Sequence, residues 1–520
     1  MTGILELEQQ IMKKIWFLLF GMSILLTACN PGRTSLPTAT SAPEIEVASA
    51  PEAGAPPEES VISPETVTIT VVYTNDEHGW MAGEDSGAGA AELAGLWATQ
   101  FPESDIVLPL SGGDNWTGPA ISTWFKGESM VEVMNTMGYA ATAIGNHEFD
   151  FGLEGLTART AQANFPFLAA NLRDKTSGAI PAELGIQPYA IIEVAGLKIG
   201  LIGLANLETP TVTNPVNVAG FDFVDYAEAL REYIPEMRAA GVDLVFIPSH
   251  LCKSELNRLA AEVKDLGINL FGGGHCHERF DTQVGEAVLL GGGSNLRSYA
   301  YATFAVNPST GEVNLLTRGT ADNSGGTPHP QVAEIVAHWQ DLTDAELNVT
   351  VGYLDNEIPQ KSDEMAALIT ESWLWAYPAD VSITNWGGMR DSIPAGEVTY
   401  ASIISVMPFE NVLYDVSLSG AELAKVLASG DYLPAISGVV WEGNQWVLTE
   451  SGSPLDPAAT YNLLTTDFLY AGGDNYRIAE FDPEAYNTAI NWRQPVIDWI
   501  LAQESSAENP LDVAIERLMK

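Results

Sequence analysis

The chain has 520 residues, too many for one compact core and enough for two or three domains. Hydrophobic residues make up 46% of it and charged residues 18%, so most of the chain is expected to fold rather than stay disordered. Lys and Arg number 23 and Asp and Glu 68, and the net charge of −45 excludes nucleic acids and anionic lipid surfaces as general partners. An anionic substrate would need local positive charge, from bound metal or a few arginines. The three cysteines exclude a disulfide scaffold.

The N-terminus has the pattern of a secretion signal. Lys13 and Lys14 precede an apolar run over residues 15–27, which is short for a membrane span of about 20 residues but suits a signal peptide. The Leu-Thr-Ala-Cys sequence at 26–29 resembles the lipobox of bacterial lipoproteins, which implies cleavage before Cys29 and lipidation of its thiol. The alternative is an ordinary signal peptide with an incidental cysteine. We predict export, with the membrane reached only through a lipid on Cys29, at the cell surface or the periplasmic side.

Composition divides the rest of the chain. Residues 30–66 are rich in Pro, Ala, Ser, Thr and Glu and contain too few large apolar residues to offset the entropy of ordering. A second break, rich in Gly, Pro, Ser and Asn, lies at 320–330 and is followed by a helical pattern. We therefore predict a signal peptide (1–29), a disordered tether (30–66), a first domain (67–320), a linker with a linker helix (321–346) and a second domain (347–520).

Five predicted strands in the first domain end in residue types that bind metals. The strands and the polar residues after them are 67–73 with Asp76 and His78, 106–110 with Asp114, 140–144 with Asn146, His147 and Asp150, 242–247 with His250, and 268–271 with His275 and His277. Helical patterns lie between them at 128–137, 154–164, 226–240 and 254–266. Alternating strands and helices predict an α/β sheet with these side chains at the carboxyl ends of the strands. A single histidine at a strand end usually makes only a hydrogen bond, but five of the chain's seven histidines follow these predicted strands.

The order of these residues resembles the signature of calcineurin-like metallophosphoesterases. The matching segments are Asp76-Glu77-His78-Gly79, Gly113-Asp114, Gly145-Asn146-His147-Glu148, His250 and Gly274-His275-Cys276-His277. The longer run over residues 145–152 resembles the bacterial and animal 5'-nucleotidase branch, and the resemblance extends from about residue 67 to near the C-terminus. It implies an α/β fold: an N-terminal α-β-β-α sandwich with a dimetal site at strand ends, plus a separate C-terminal α/β substrate-binding domain.

Carried over by position, the resemblance implies two divalent metal ions. One would be bound by Asp76, His78, Asp114 and His277, and the other by Asp114, Asn146, His250 and His275. Asp114 would bridge them, and a hydroxide held between the metals would attack phosphorus. Mixed nitrogen and oxygen ligands suit Zn, Mn, Fe or Co alike.

His147 and Asp150 are predicted to form a catalytic pair. In the resembled family this histidine stabilises transition-state charge or the leaving group, and a carboxylate three residues later would hold its ring in one tautomer. Cyclic-nucleotide relatives often carry Asn at the position of Asp150, which argues mildly against that substrate class.

Two cysteines lie among the predicted ligands. Cys252 follows His250 by two residues, and Cys276 separates His275 from His277. Thiolate ligation is one option, but the ligand set implied by the resemblance is complete without them, and alternate residues of an extended segment point opposite ways. We expect buried residues with no part in the site, and a disulfide between them after export stays open.

Three motifs in the second domain resemble those of the 5'-nucleotidase C-terminal domain. They are Asn-x-Gly-Gly-x-Arg at 385–390, a Pro-Phe loop at 408–409 and Phe-x-x-x-Gly-Gly-Asp at 468–474. The substrate-binding residues implied are Asn385 at the base edge, Arg390 at the phosphate, Phe409 and Phe468 around the base, and Asp474 at the ribose. The alternative is that the aromatics are core residues and the glycines turns. One departure is Lys361, where the family usually has Arg; lysine cannot make a planar two-point contact, so substrate preference is expected to differ.

These observations predict an exported, metal-dependent phosphohydrolase that removes the 5'-phosphate from nucleotides. UDP-sugar hydrolase and 2',3'-cyclic-nucleotide phosphodiesterase activities remain alternatives because they share the metal site. An alternative of another class is a surface lipoprotein that binds nucleosides or metal without turnover. The expected partners are a nucleotide or nucleotide-sugar substrate and the membrane, through the lipid anchor only; nucleic acid is excluded, and the oligomeric state is left open.

Overall fold

The computed structural model of the protein describes residues 66–83 and 89–519. The predicted signal peptide, Cys29 and the predicted tether up to residue 65 lie outside these described residues. Within them, no helix has the length and apolar character needed to cross a membrane.

Two β-sheets form the centre of the first lobe. Its strands are β1 (Val67–Thr74), β2 (Ile106–Ser111), β3 (Ala141–Ala143), β4 (Phe167–Leu168), β5 (Leu172–Asp174), β6 (Ile186–Gln187), β7 (Tyr189–Val194), β8 (Leu197–Ile202), β9 (Phe221–Phe223), β10 (Leu244–Pro248), β11 (Leu270–Gly272), β12 (Arg279–Val284), β13 (Ala287–Gly292), β14 (Ser298–Asn307) and β15 (Glu312–Asp322). Of these described strands, seven form one sheet in the order β15-β14-β1-β2-β3-β4-β6. Six form the other in the order β12-β13-β11-β10-β8-β7, and β5 pairs with β9.

The sheets pack face to face because their strands place alternate apolar side chains on opposite sides. Val71 of β1 and Phe246 of β10 lie in the same core, between the two sheets. Their sequence neighbours Val72 and Val245 point outward, into separate cores that the sheets share with helices. The lobe is therefore an α-β-β-α sandwich, which confirms the predicted fold class.

Helices cover both outer faces of the sandwich. Those packed on the seven-stranded sheet are Ala90–Gln100, Glu128–Met137, Gly152–Gln162 and Pro330–Leu347, and those on the six-stranded sheet are Tyr226–Ala239 and Lys253–Glu262. Short helical segments are Ala120–Thr123, His147–Phe149, Ala182–Leu184, Thr209–Val212, Pro215–Val218 and Lys264–Leu266. The helix predicted at 128–137 has those bounds, whereas the helix predicted at 254–266 is divided into two segments.

The second lobe has its own sheet and core. Its strands are β16 (Thr350–Leu354), β17 (Val381–Thr384), β18 (Gly396–Thr399), β19 (Val412–Ser419), β20 (Ala435–Ser437), β21 (Val439–Glu442), β22 (Gln445–Leu448), β23 (Thr460–Thr466) and β24 (Tyr486–Asn491). Five of them form a sheet in the order β20-β17-β23-β19-β24 in the described chain. The helices are Asp363–Ala376, Tyr400–Val406, Gly420–Val426, Asp467–Tyr470, Gln494–Ala502 and Asp512–Leu518. Trp373 and Trp492 are fully buried at the centre, and Trp373 Nε1 donates to the Trp492 carbonyl at 2.9 Å.

The helix Pro330–Leu347, predicted as a linker helix, packs on the first lobe. Its Trp339 is almost fully buried, and the indole N–H donates to a Glu132 carboxylate oxygen at 2.8 Å. The lobes also contact each other directly, since the Ala120 N–H donates to Ser405 Oγ at 3.0 Å. Through Trp339, the helix Pro330–Leu347 is anchored on the first lobe.

Candidate metal centre and adjoining cavity

Five strands bring the candidate ligands to one edge of the sandwich. β1, β2 and β3 are parallel neighbours in one sheet, and β10 and β11 are parallel neighbours in the other. The residues that follow the carboxyl ends of these strands converge, as in other open α/β sheets. The predicted ligand residues brought together there are Asp76, His78, Asp114, Asn146, His250, His275 and His277.

The first group of donor atoms belongs to Asp76, His78 and His277. His277 Nε2 lies 3.4 Å from Asp76 Oδ1 and 3.2 Å from His78 Nε2. His78 Nε2 lies 3.9 Å from the same carboxylate oxygen. Donor atoms that share a cation at about 2.1 Å lie about 3.0–3.4 Å from one another. The two separations that involve His277 Nε2 fall in this range and the third is longer, so a small side-chain movement would let the group bind one divalent cation.

The second group is centred on Asp114 and His250. His250 Nε2 lies 2.9 Å from Asp114 Oδ2 and 3.2 Å from Asn146 Oδ1. His275 Nδ1 lies 3.1 Å from the same amide oxygen. Donor atoms of Asp114 and His78 also lie within 4.8 Å of each other. Asp114 is thus placed between the two groups, as the predicted bridging role requires.

The backbone at these positions is in an uncommon conformation. Asp76, His78, Asp114, His275 and His277 have φ angles between 46° and 68°, in the left-handed region. Residues other than glycine rarely adopt it, and each costs about 1–3 kcal/mol unless the surroundings fix it. Backbone hydrogen bonds help to fix this conformation. The Asp76 N–H donates to the Gly113 carbonyl and the His78 N–H donates to the Asp114 carbonyl, both at 2.9 Å. Such strain is typical of functional sites.

A buried carboxylate outside the predicted ligand set fixes two of the loops. Glu148 is fully buried and accepts hydrogen bonds from the backbone N–H groups of Asp114, Asn115 and Gly145, at 2.9, 2.8 and 2.6 Å. Burial, with Asp114 adding to it, raises the pKa of Glu148 to about 7. Gly145 is needed here because a Cβ would lie 2.2 Å from Asp114 Oδ1. Glu148 lies in the Gly145-Asn146-His147-Glu148 motif, but no role was predicted for it from the sequence.

His147 and Asp150 form a hydrogen-bonded pair beside this centre. His147 Nδ1 lies 2.7 Å from Asp150 Oδ2, so the acceptor carboxylate requires the proton on Nδ1. The other Asp150 oxygen accepts a hydrogen bond from Thr213 Oγ1 at 3.1 Å. His147 Nε2 lies 4.0 Å from Asp114 Oδ2. Burial favours the neutral ring, but the carboxylates of Asp150 and Asp114 outweigh it and raise the pKa of His147 above its usual value.

Burial keeps two candidate histidine ligands neutral. It holds the pKa of His78 well below its usual value, with Arg390 as the next cause. Burial and then His250 lower the pKa of His275 to about 4. Neutral imidazole is the form that binds metals. Burial alone would also lower the pKa of His250, but Asp114 raises it to about 10, so a cation bound there would replace the proton of His250.

A cavity of about 440 Å³ adjoins the metal-ligand residues between the two lobes. Its lining from the first lobe includes Asp114, Asn146, His147, Asp150, His275 and His277. Its lining from the second lobe includes all five residues predicted to bind substrate, Asn385, Arg390, Phe409, Phe468 and Asp474. The structure therefore brings two sets of predicted site residues, far apart in sequence, to one cavity.

Two of the second-lobe residues contact the first lobe. The Phe409 ring stacks on the His147 imidazole, with centroids 5.7 Å apart and an angle of 25° between the planes. Arg390 Nη2 lies 3.0 Å from His78 Nε2. The guanidinium thus reaches the candidate metal centre. It supplies there the local positive charge that an anionic substrate would need in so acidic a protein.

The Phe468 loop depends on a close approach of ring and backbone. A Cβ at Gly473 would lie 2.3 Å from a carbon of the Phe468 ring, so only glycine fits. Asp474 follows in the left-handed conformation, with φ 49°, and accepts a hydrogen bond from Asn385 Nδ2 at 2.8 Å. Two of the three motifs in this domain are therefore joined by a side-chain hydrogen bond.

One wall of the cavity, formed by residues 209–218, was not predicted from the sequence. Asn146 Nδ2 donates to the carbonyl of Val212 at 3.1 Å, and Asn214 Nδ2 lies 3.4 Å from Asp467 Oδ2 of the second lobe. Burial raises the pKa of Asp467 to about 6. The available signal was the Asn-Pro pair at 214–215, which starts a short helix.

A second groove, of about 630 Å³, also adjoins the first ligand group. His78 and His277 line it together with Arg297, Lys361 and Arg390. Burial, followed by Arg390, lowers the pKa of Lys361. The lysine that departs from the family pattern therefore lies beside the candidate metal centre.

Cys252 and Cys276 are joined by a disulfide bond. The disulfide that the sequence left open is therefore present, but the expectation of two buried residues is wrong, because Cys276 is exposed and Cys252 is only partly buried. The argument from alternation fails because the backbone at His275 and His277 is left-handed rather than extended. With their sulfurs joined, neither cysteine is available as a thiolate ligand.

Comparisons with known proteins agree with this arrangement. Residues 345–480 match the family model of the 5'-nucleotidase C-terminal domain. The silent protein UshA(0) of Salmonella typhimurium is 28% identical, and the alignment covers 86% of this chain and 92% of that protein. A 5'-nucleotidase of Vibrio cholerae is 27% identical over the same shares of the two chains. The crystal structure of a 5'-nucleotidase precursor from Thermus thermophilus has a TM-score of 0.72 at 22% identity, covering 84% of this chain and 97% of that one.

An α-β-β-α sandwich with clustered metal ligands at facing strand ends defines the calcineurin-like metallophosphoesterase class. The similarity to the solved structure supports this fold. Two further findings narrow this class to one group of proteins: the matched C-terminal domain, and the relatives that align over nearly their whole length. The chain is thus similar over most of its length to proteins named 5'-nucleotidase, and its residues 345–480 match the C-terminal domain of that family.

Proposed function

We propose that the protein is a metal-dependent phosphohydrolase that removes the 5'-phosphate from nucleotides. The observation that carries this proposal is the single cavity lined by the candidate metal ligands of one lobe and the aromatic and polar motifs of the other. Relatives named 5'-nucleotidase, aligned over 92% of their length, support the same substrate class. We also propose that residues 67–320 supply the chemistry and residues 347–520 the nucleoside contacts.

The chain's own donor atoms fit two divalent cations. Their separations support one ion at each ligand group. The proposed ligands are Asp76, His78, Asp114 and His277 for one ion, and Asp114, Asn146, His250 and His275 for the other. When bound, such a pair supplies Lewis-acid activation of the phosphate and of a water molecule. The nitrogen and oxygen donors suit Zn, Mn, Fe or Co and do not select among them.

His147 would act on the leaving group. Its Nδ1 is committed to Asp150, which leaves Nε2 as the ring atom available to the cavity. With Nδ1 already protonated, a proton on Nε2 makes the ring an imidazolium, the form that its raised pKa favours. The Nε2 proton would pass to the departing 5'-oxygen of the nucleoside, as from a general acid, and leave the neutral ring with its proton on Nδ1. Asp150 would hold the Nδ1 proton and the ring orientation, and Thr213 would keep Asp150 in place.

The second lobe would bind the nucleoside and the phosphate. Phe409 and Phe468 offer ring faces to a base, and stacking of this kind tolerates any base because each has a π-face. Asp474 would accept hydrogen bonds from ribose hydroxyls, and Asn385 would contact the base edge. Arg390 would neutralise phosphate oxygens, and its position against His78 supports that role.

A second candidate function is hydrolysis of nucleotide sugars. The observation that favours it is the second groove, which His78 and His277 line. In a nucleotide sugar the attacked phosphorus keeps a sugar substituent, which needs space on the side away from the leaving nucleotide. The groove offers that space, and Arg297 and Lys361 provide polar contacts within it.

The test is a substrate panel with purified, metal-free protein. AMP, UMP, UDP-glucose, 2',3'-cyclic AMP and p-nitrophenyl phosphate are assayed with each of Zn²⁺, Mn²⁺, Fe²⁺ and Co²⁺ and without metal. We expect metal-dependent release of phosphate from AMP or UMP, faster than from p-nitrophenyl phosphate. Preference for UDP-glucose would favour the second candidate. Nucleoside binding without turnover under every metal would contradict both and favour a binding protein.

We further propose that the protein is exported and held to a membrane by a lipid on Cys29. The N-terminal sequence pattern supports this. Cys29→Ser is expected to move the protein from the membrane fraction to the soluble fraction with unchanged kcat for AMP, because the altered residue precedes the folded lobes by more than 30 residues. Retention of the variant in the membrane fraction would instead indicate an uncleaved N-terminal anchor.

A further inference from the structure

The disulfide joins the two loops that carry three candidate metal ligands. Cys252 lies in the loop after β10, two residues past His250. Cys276 lies in the loop after β11, between His275 and His277. The bond therefore links His250 and His275 of one ligand group with His277 of the other.

The two loops differ in how firmly other contacts hold them. His250 is fully buried, its Nδ1 lies 2.8 Å from the Gly112 carbonyl, and its N–H donates to the Leu204 carbonyl at 2.9 Å. The side chain of His277 is 42% exposed. His250 is thus fixed by the protein interior, whereas His277 lies at the surface.

The backbone of the second loop is in a conformation that needs support. His275 and His277 have φ angles of 68° and 54°, and Cys276 lies between them. Hydrogen bonds that hold the loop near these residues include those from the Gly274 N–H to the Leu251 carbonyl at 2.9 Å, from the His275 N–H to Asp76 Oδ1 at 3.2 Å and, just past His277, from the Lys253 N–H to a Glu278 carboxylate oxygen at 3.1 Å. A covalent link at Cys276 limits how far the loop can relax from this conformation.

We propose that the Cys252–Cys276 disulfide is a positioning element of the metal centre, which holds His275 and His277 in ligand geometry before a cation binds. Ligands that are already ordered lose less conformational freedom on binding, and residues that orient metal ligands typically change metal affinity about 10- to 100-fold. The inference rests on the proposed metal-dependent function and adds residues to it. The cation bound by Asp76, His78 and His277 depends most on the bond, because His277 is the more exposed ligand.

The test compares wild-type protein with the double variant Cys252→Ser/Cys276→Ser, which removes the bond without leaving a free thiol near the site. Zn²⁺ alone is titrated into metal-free protein against a chelating indicator. We expect wild type to bind two equivalents tightly and the variant to bind one of them about 10- to 100-fold more weakly. Because every ligand is retained, excess Zn²⁺ is expected to restore most of the AMP hydrolysis.

Two controls separate positioning from general stability. Cys252→Ala/Cys276→Ala is the second variant in case serine disturbs folding, and circular dichroism of the metal-free proteins reports the fold. Arg231→Ala breaks an exposed ion pair with Asp265 in the same lobe and is expected to leave Zn²⁺ affinity unchanged. A double variant that is less stable but binds both Zn²⁺ ions as tightly as wild type overturns the positioning role.

Failure of the proposed function gives a different result. If oxidised wild-type protein binds no Zn²⁺ and hydrolyses no nucleotide with any metal, both proposals are overturned. If wild type binds Zn²⁺ and hydrolyses AMP while the folded double variants match it in affinity, only the role of the disulfide is overturned. If the variants lose affinity and excess Zn²⁺ does not restore activity, the bond does more than position ligands and the proposal is overturned as stated.

Discussion

The two sides of the cavity are built differently. On the first lobe, Asp114 and His250 are at most 2% exposed and lie within a network of short hydrogen bonds. On the second lobe, all five predicted substrate-binding residues are only half-buried. Rigid placement suits groups that must hold cations and reacting atoms, whereas accessible side chains suit recognition of an incoming ligand. Changes in the first lobe should therefore affect every phosphoester, and changes in the second should affect nucleotides selectively.

The largest effect is expected for Asp114→Asn. Asp114 is the carboxylate nearest to both ligand groups, so its loss removes the charge that would offset two closely spaced cations. We expect no measurable turnover of AMP or p-nitrophenyl phosphate and a lower metal content by elemental analysis. Asp265→Asn, which alters an exposed carboxylate on the same lobe, is the control and should retain both the turnover and the metal content of wild type. Full activity with normal metal content in Asp114→Asn would remove the bridging role.

His147→Ala should separate catalysis from metal binding. The variant is expected to keep its metal content but lose rate by about 10²–10⁴-fold on both substrates, as for other positioned acid or charge-stabilising groups. Asp150→Asn should lower the rate less, because the imidazole stays in place although its orientation and its raised pKa are both disturbed. Loss of metal from His147→Ala would mean that this histidine is a ligand and that its assignment is wrong.

The positions of the first-lobe residues could be predicted because topology fixes them. Residues after the carboxyl ends of neighbouring parallel strands must meet, so strand patterns alone place His78 with Asp114 and His250 with His275. The arrangement of two facing sheets, which brings the two pairs together, was implied only by the family resemblance. The groups that hold these loops could not be predicted in the same way. Glu148 and Thr213 act through contacts with backbone or side chains distant in sequence, which no local pattern records.

The second lobe was predicted from motif resemblance rather than from periodicity. That resemblance identified five of the residues that line the cavity, but the stacking of Phe409 on His147 depends on how the two lobes meet. The disulfide was left open for a related reason. Left-handed backbone at His275 and His277 has no sequence signal when the residue is not glycine, and it determines where Cys276 points.

Phe409→Ala and Phe468→Ala should sharpen the contrast between the lobes. Base stacking is worth about 1–3 kcal/mol per ring, or about 5- to 150-fold in kcat/KM for AMP. Binding energy from the base also positions the phosphorus, so kcat should fall together with affinity. p-Nitrophenyl phosphate should be much less affected. Tyr486→Ala, which removes an exposed ring on the same lobe, is the matched control and should leave kcat/KM unchanged for both substrates. Equal losses on both substrates would mean that the second lobe is not a nucleotide-binding element.

The smallest expected effect is a pH dependence of nucleotide affinity that originates in the second lobe. Burial, with Asp431 adding to it, raises the pKa of Asp474 to about 6. A carboxylate accepts hydrogen bonds from ribose hydroxyls, but below about pH 6 the folded protein carries increasing amounts of the protonated acid, which is a weaker acceptor. If only the ionised form binds well, KM for AMP should rise as the pH falls from about 7 and approach tenfold at about pH 5, where about a tenth of the molecules are ionised.

Three comparisons isolate that effect from other titrations. p-Nitrophenyl phosphate shares the phosphate titration but lacks a ribose, so its KM should change less over the same range. Asp474→Asn should bind AMP about 3- to 10-fold more weakly at about pH 7, because its amide oxygen still accepts a hydrogen bond but a neutral one of about half the strength, and it should lose the extra pH dependence. Asp467 has a pKa of about 6 for the same reason, burial, but is not assigned to the ribose, so Asp467→Asn is the control that should keep the dependence. If Asp467→Asn abolishes it and Asp474→Asn does not, the ribose contact belongs to the residue beside Asn214, and the recognition surface lies closer to the first lobe than the motif implies.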